Sequence, residues 1–222
     1  MRELPILMNG AMVRAVLEGR KTVTRRVMKR QPEPCYHRLY EEQAEASVPT
    51  RWTTDATGDF YCGVCGNGLE LCRGAPGVRG LRPPYQVGDR LYVREAYFGN
   101  HYLHPNEPTH EREIHYRADG YDEFEGERIV WRPSLHMPKW AARIWLQVTA
   151  ARVERLRDIT AEQAIAEGMQ SNLREHDAVE SLRNDFAYLW NGLAKPGNRW
   201  DDNPWVWVVE FKRIEKEVPH VG

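Results

Sequence analysis

No stretch of the chain approaches the roughly 18 consecutive apolar residues that a membrane-spanning helix needs, so the sequence predicts no membrane partner. Charge of one sign is missing as well. Basic residues number 31 and acidic residues 32, and a formal net charge of −1 gives no global electrostatic reason to bind a polyanion. There is no Walker loop, no Gly-x-Gly-x-x-Gly opening a helix, no Gly-x-Ser-x-Gly and no His-Glu-x-x-His, which argues against nucleotide hydrolysis and dinucleotide redox chemistry. The first ten residues lack a signal-peptide core and a small-residue cleavage site, and the expected location is cytoplasmic. Cysteine is scarce: all 4 fall between residues 31 and 87.

What is present is a globular mixture, with 41% hydrophobic and 28% charged residues over 222 positions. Charge is uneven along it. Arg14, Arg20, Lys21, Arg25, Arg26, Lys29 and Arg30 stand against the single acid Glu18, a local excess that reads either as a solvated basic face or as a site for an anion. Residues 107–127 carry the reverse excess and make a poor surface for nucleic acid.

Periodicity outlines the elements. A short extended segment at Pro5–Met8 leads into a helix from Gly10 to Glu18, with Gly19 placed for a left-handed cap. Residues 20–27 suit a strand; strict alternation separates Lys21 from Thr24, whereas a tight turn at Gly19–Thr22 turns both to one side. Residues 31–87, rich in Pro, Gly and polar residues, read as an irregular insertion. Strands are predicted after Val87, with Leu91 and Val93 facing the core, at Ile114–Ala118 and at Ala142–Val153. The segment Trp131–Trp140 is too interrupted by proline for regular structure. Thr160-Ala-Glu-Gln163 forms a capping box for a helix ending at Gly168, and a second helix is predicted over Leu173–Leu193. Glu167 stands at the negative end of the first of these, where a carboxylate is disfavoured. A final strand, Pro204–Lys212, is apolar on both faces. The expected fold is mainly β with flanking helices (α+β), a small β-barrel.

Four blocks in this order resemble the ASCH domain of the PUA-like superfamily, and most closely its phage and prophage forms: Gly19-Arg-Lys-Thr-Val-Thr-Arg-Arg26, Gly88-Asp-Arg-Leu-Tyr-Val-Arg-Glu95, Ile159–Gly168 and the closing Trp-Val-Val-Glu-Phe strand. The phage-type likeness extends through Trp131–Trp140. The resemblance implies one ASCH/PUA-like domain over residues 1–222, with the cysteine-containing stretch 31–87 inserted. A small bacterial ASCH enzyme removes the acetyl group from N4-acetylcytidine with a lysine, a threonine and a glutamate; the matching positions here are Lys21, Thr24 and Glu167, with an arginine at Arg26. That enzyme is about half this length, a departure that bears on the substrate pocket.

The chemistry of these residues is consistent with amide hydrolysis. A threonine hydroxyl needs a neighbouring base, and a lysine serves as one only where burial or nearby cations lower its pKa. Arg20, Arg25 and Arg26 supply cations and are candidates for holding the ligand, with Arg26 or a backbone N–H at the oxyanion. A glutamate can protonate the leaving amine, and no cofactor is needed. The bland alternative is a solvated lysine, a barrel hydroxyl and an exposed helix end. Glu95 reads as a barrel-mouth contact or as a surface ion pair. Trp131, His136 and Trp140 suit stacking on a base or belong to the core. The predicted partner is a modified nucleoside or single-stranded nucleic acid. A non-catalytic RNA or modified-DNA reader and a ribonuclease remain alternatives. Cys35, Cys62, Cys65 and Cys72, with His37 able to replace Cys35, read as a structural zinc knuckle or as free thiols.

Overall fold

The computed structural model describes residues 1–29, 31, 83–99, 114–120, 129–170 and 181–216, together with the backbone of 52–54, 60–62, 123–124, 127–128 and 175–180. In chain order the described elements are β1 (Glu3–Leu7), α1 (Gly10–Leu17), β2 (Val23–Val27), β3 (Trp52–Thr54), β4 (Phe60–Cys62), β5 (Arg90–Arg94), β6 (Tyr97–Gly99) and β7 (Ile114–Tyr116). They continue as β8 (Glu123–Phe124), β9 (Glu127–Arg128), β10 (Trp145–Arg155), α2 (Ala161–Ala166), α3 (Glu175–Leu193) and β11 (Trp205–Ile214). A five-stranded sheet in the order β1-β5-β10-β11-β2 carries most of the structure, beside three two-stranded pairs. This is a mixed α/β fold with a mainly sheet core and few helices, and no closed barrel is formed among the described residues. No described helix is long and apolar enough to cross a membrane.

The chain divides into two compact units. The first holds residues 1–22, 88–148 and 211–222, and the second holds 23–87 and 149–210; the division falls within β10 and within β11. In the first unit β1 runs parallel to β5, with Ile6 opposite Val93, and β5 runs antiparallel to β10, with Leu91 opposite Leu146. Those four side chains, with Ile144 and Val148, are at most 1% exposed. Leu91 and Val93 thus face the core as expected. The β1–β5 pair is parallel, whereas β5–β10 and β11–β2 are antiparallel.

Helix α1 begins where Asn9 accepts from the Met12 N–H and buries Val13, Ala15 and Val16. Gly19 takes φ +75°, the left-handed conformation that suits glycine. The N–H groups of Arg20 and Lys21 then both donate to the Ala15 carbonyl at 2.9 Å, so the chain turns tightly and β2 starts only at Val23. Of the two geometries open to residues 20–27, the tight turn is the one adopted. The strand expected through Ala118 stops at Tyr116 and gives way to a single 3-10 turn at Arg117–Asp119. Trp131–Trp140 contains two further 3-10 turns, at Ser134–His136 and Lys139–Ala141, each entered from a proline.

In the second unit β2 pairs antiparallel with β11, placing Thr24 opposite Val209 and Arg26 opposite Trp207. Trp205–Val209 are buried without a break, as both faces of an interior strand should be. Val23, Leu156, Ile159, Ala161, Ala164, Leu182, Phe186, Val206 and Val208 form the core cluster, which α2 and α3 cover. On α3, Leu182 and Phe186 are buried, but Leu193 is 62% exposed because it lies past Trp190, the last residue of the helix to pack on the cluster. Within the stretch expected to be irregular, β3 and β4 pair as a short antiparallel ribbon with Thr53 opposite Tyr61.

The capping box at the start of α2 is complete: the Thr160 hydroxyl accepts from the Gln163 N–H at 3.3 Å and the Gln163 side chain accepts from the Thr160 N–H at 3.1 Å. Replacing Thr160 with Ala should cost about 1 kcal/mol in urea unfolding, and Thr160→Ser should recover most of it. An unchanged midpoint in Thr160→Ala would show that the cap contributes nothing.

Candidate functional site

The second unit encloses one arginine completely. Arg25 sits on β2 between the buried residues Val23 and Thr24 and the half-buried Arg26, and its side chain has no exposed surface. Its Nη1 donates to Glu167 Oε1 at 3.3 Å, while Nη2 donates to Glu154 Oε2 at 3.1 Å and to Gln163 Oε1 at 2.7 Å. Gln163 Nε2 in turn donates to Glu154 Oε1 at 3.3 Å, and Arg152 Nε donates to the same oxygen at 2.5 Å. Arg152 also pairs with Glu210 on β11. The Phe186 ring of α3 lies 5.9 Å from the guanidinium carbon of Arg25, within range of a cation–π contact. In these contacts two arginines meet three carboxylates.

This network explains the carboxylate at the end of α2. Glu167 is the C-cap, only 8% exposed, where the helix dipole opposes negative charge. Arg25 brings the opposing positive charge from 142 positions away. Thr24, the preceding residue of β2, is 1% exposed.

The first unit has its own buried pair. Glu95, just past β5, is 1% exposed and accepts from Arg143 at 2.9 and 3.0 Å through both carboxylate oxygens. Arg143 also donates to both oxygens of Asp119, at 2.8 Å each, and stacks 4.0 Å from the Tyr116 ring centroid. Burial pushes the Glu95 carboxyl above its usual range even though Arg143 pulls it down. Burial likewise pushes the Tyr116 phenol up to about 12, and its hydroxyl donates to the Ala141 carbonyl at 2.7 Å. The irregular segment closes over this end of β5: Arg94 Nε donates to the Met137 carbonyl at 2.6 Å, and the Glu95 N–H meets Met137 Sδ at 3.2 Å.

The residues singled out by sequence separate between the units. Lys21, 2% exposed, falls in the first, with Arg20, Glu95, Trp131, His136 and Trp140; Thr24, Arg25, Arg26 and Glu167 fall in the second. Arg25 and Glu167 are brought into contact. One expectation changes. Arg25 does not project as a ligand-binding cation, because two carboxylates of its own unit enclose it. Arg20 is partly exposed and pairs with Glu18, which accepts from its Nε at 2.7 Å. Arg26 is half-buried near Tyr85, whose phenol burial pushes up and the Arg26 charge draws down. Glu95 is ion-paired, but the pair is buried on the carboxylate side rather than lying on the surface. Trp140 packs against the cluster of Tyr97, Met137, Ala141 and Ala142, Trp131 is half-buried, and the exposed His136 contributes its carbonyl to the Tyr97 hydroxyl at 3.3 Å.

Glu154, Gln163, Arg152, Arg143 and Asp119 escaped the sequence reading. Of these only Gln163 carried a local signal, as the third helical residue of the capping box. The zinc expectation for Cys35, Cys62, Cys65 and Cys72, or His37, lies outside the residues whose side chains are described; among the described residues no three His, Cys, Asp or Glu side chains gather as metal ligands. No protein-family model, curated protein or solved structure matches the chain.

Replacing Arg143 with Met leaves the Glu95 carboxyl enclosed without its cation and should destabilise the protein by about 3 kcal/mol near neutral pH. A carboxyl whose folded-state pKa is raised contributes its stability below the unfolded value and loses it as pH rises through the folded one. The penalty should therefore shrink on acidification, as Glu95 takes up a proton. Urea unfolding of wild type and variant at pH 5 and pH 8 measures this, and a penalty larger at pH 5 contradicts it.

Proposed function

We propose that the protein is an ASCH-type member of the PUA-like superfamily with a β-barrel architecture, and that it binds a modified nucleobase or nucleoside and hydrolyses an N4-acyl amide on cytidine. The observation that carries this reading is burial. Lys21, Thr24 and Glu167 are drawn from separate parts of the sequence by resemblance alone, and all three are among the seven polar or charged residues buried in the described chain. Burying such groups costs free energy unless they are engaged, so their enclosure is unlike that of solvated side chains. In this reading the Thr24 hydroxyl attacks the acyl carbon while Lys21 takes up its proton. The C–N bond breaks as the proton that Lys21 took from Thr24 passes by way of the Glu167 carboxylate to the departing N4 amine, and water then releases the acyl group from Thr24.

The burial of Arg25 favours a neutral ligand. Two carboxylates already balance its charge and its side chain has no exposed surface, so it offers little to a phosphate. A free nucleoside fits this better than a nucleic-acid backbone. Binding to such a ligand should then be nearly independent of salt, whereas a polyanion would show affinity falling steeply with salt.

Incubation with N4-acetylcytidine should yield cytidine and acetate, and Lys21→Ala, Thr24→Ala and Glu167→Ala should each lower the rate by at least about a hundredfold while remaining folded. Wild-type rates in all three folded variants would overturn the assignment. Retention of single-stranded RNA without turnover would favour a reader, and strand cleavage a nuclease. The proposal includes a structural zinc on Cys35, Cys62, Cys65 and Cys72, closed by four thiolates and separate from the chemistry. Elemental analysis of protein purified without added metal should find about one zinc per chain; metal-free protein with four freely reactive thiols would exclude it.

A further inference from the structure

The proposed reaction uses Glu167 but gives no reason for an arginine sealed beside it. Arg25 donates hydrogen bonds to three side chains from two elements other than its own: Glu154 from β10, and Gln163 and Glu167 from the helix α2 and its C-cap. Stability alone is a poor reason for such an arrangement. A buried ion pair commonly gains little over well-packed apolar residues of the same volume, since desolvation offsets the attraction. In the described chain no hydrogen-bond acceptor reaches the buried Nε of Arg25, so even its donor capacity is incompletely used. What a guanidinium does supply is geometry. Its donors stand in a rigid planar fork, and one group can fix two carboxylates in a set relation, which a flexible point-charge ammonium does not do.

Glu167 needs that fixing more than most carboxylates. It is the C-cap of a six-residue helix and is followed by Gly168 at φ +99°, so its backbone stands where a helix ends and chain direction changes. The network on its other side is itself anchored: Gln163 is held by the Thr160 N–H, and Glu154 by Arg152, which Glu210 holds in turn. Arg25 joins the side chains of this anchored group to the Glu167 carboxylate.

We propose that Arg25 is a positioning residue, which holds the Glu167 carboxylate in the orientation from which it relays to the leaving amine the proton that Lys21 takes from Thr24. This rests on Glu167 acting in amide hydrolysis. Arg25 then affects turnover through Glu167 and leaves substrate binding nearly untouched.

The experiment compares wild type, Arg25→Lys and Arg25→Met with N4-acetylcytidine as substrate, reading kcat, KM and Tm, and follows the Glu167 carboxyl by 13C NMR in glutamate-labelled protein, its resonance assigned by its loss in Glu167→Gln. Arg25→Lys keeps the charge and should keep most of the Tm. Its kcat should nonetheless fall by roughly tenfold to a hundredfold, the scale of a displacement of about 1 Å, with KM within about threefold of wild type. The Glu167 resonance should shift. A structural role alone predicts the opposite, with kcat recovering in Arg25→Lys as far as Tm does. Should Arg25→Met fail to fold, Arg25→Lys carries the comparison. Wild-type kcat in folded Arg25→Lys, or an unmoved Glu167 resonance, overturns the positioning role while leaving the reaction standing. An inactive wild type overturns the reaction, and the positioning role with it.

Discussion

A charge enclosed by protein must be met by another charge or by hydrogen bonds, and in this chain that constraint determines which distant segments come together. Arg25 on β2 is tolerated without exposure only because Glu154 and Glu167 arrive from β10 and from the end of α2. Glu95 is tolerated beyond β5 because Arg143, two residues ahead of β10, reaches it with two bonds. Asp89 follows the same logic, receiving Arg2 from the first residues of the chain. Each pair ties a strand of the sheet to a segment far away in sequence, and each leaves one partner more exposed than the other, which moderates the desolvation cost.

The apolar framework makes these pairings practical. The unbroken burial of Trp205–Val209 leaves β11 with little freedom in register, since a slip of one residue would move every side chain to the other face. With β11 held, its ladder to β2 sets Thr24 against Val209, and Arg25 and Arg26 follow in register with Val208 and Trp207. Gln31 adds to this end of the sheet, its amide oxygen accepting from the Trp205 N–H at 2.6 Å and its amide nitrogen donating to the Trp205 carbonyl at 3.2 Å.

Local signals were legible and remote partnerships were not. The α1 helix with its Gly19 terminus, the core-facing Leu91 and Val93, the capping box at Thr160 and the doubly buried final strand are all encoded within windows of a few residues, where periodicity and capping chemistry are direct. Lys21, Thr24 and Glu167 were reached through motif resemblance, and their burial is a separate observation. The pairing of Arg25 with Glu154 and Glu167 was invisible, because no local rule links residues more than a hundred positions apart and a run of arginines reads first as a solvated or ligand-facing cluster. The burial of the Glu95 ion pair is hidden from sequence for the same reason: its partner, Arg143, carries no pattern of its own. Leu193 kept helical spacing with the buried residues of α3, yet spacing cannot say how far along a helix the surface beneath it extends.

Gln163 shows how closely local and remote demands are joined. A capping box is satisfied equally well by glutamate or glutamine at its third helical position, so helix chemistry alone leaves the choice open. Here the side-chain oxygen accepts from both the Thr160 N–H and Arg25 while the side-chain nitrogen donates to Glu154. An ionised glutamate has acceptors only. It would keep the cap but turn the contact with Glu154 from a hydrogen bond into a repulsion between like charges. The amide is therefore a polarity match, with its accepting end toward the cation and its donating end toward the acid, and one atom's difference between two nearly isosteric side chains separates a closed network from a frustrated one.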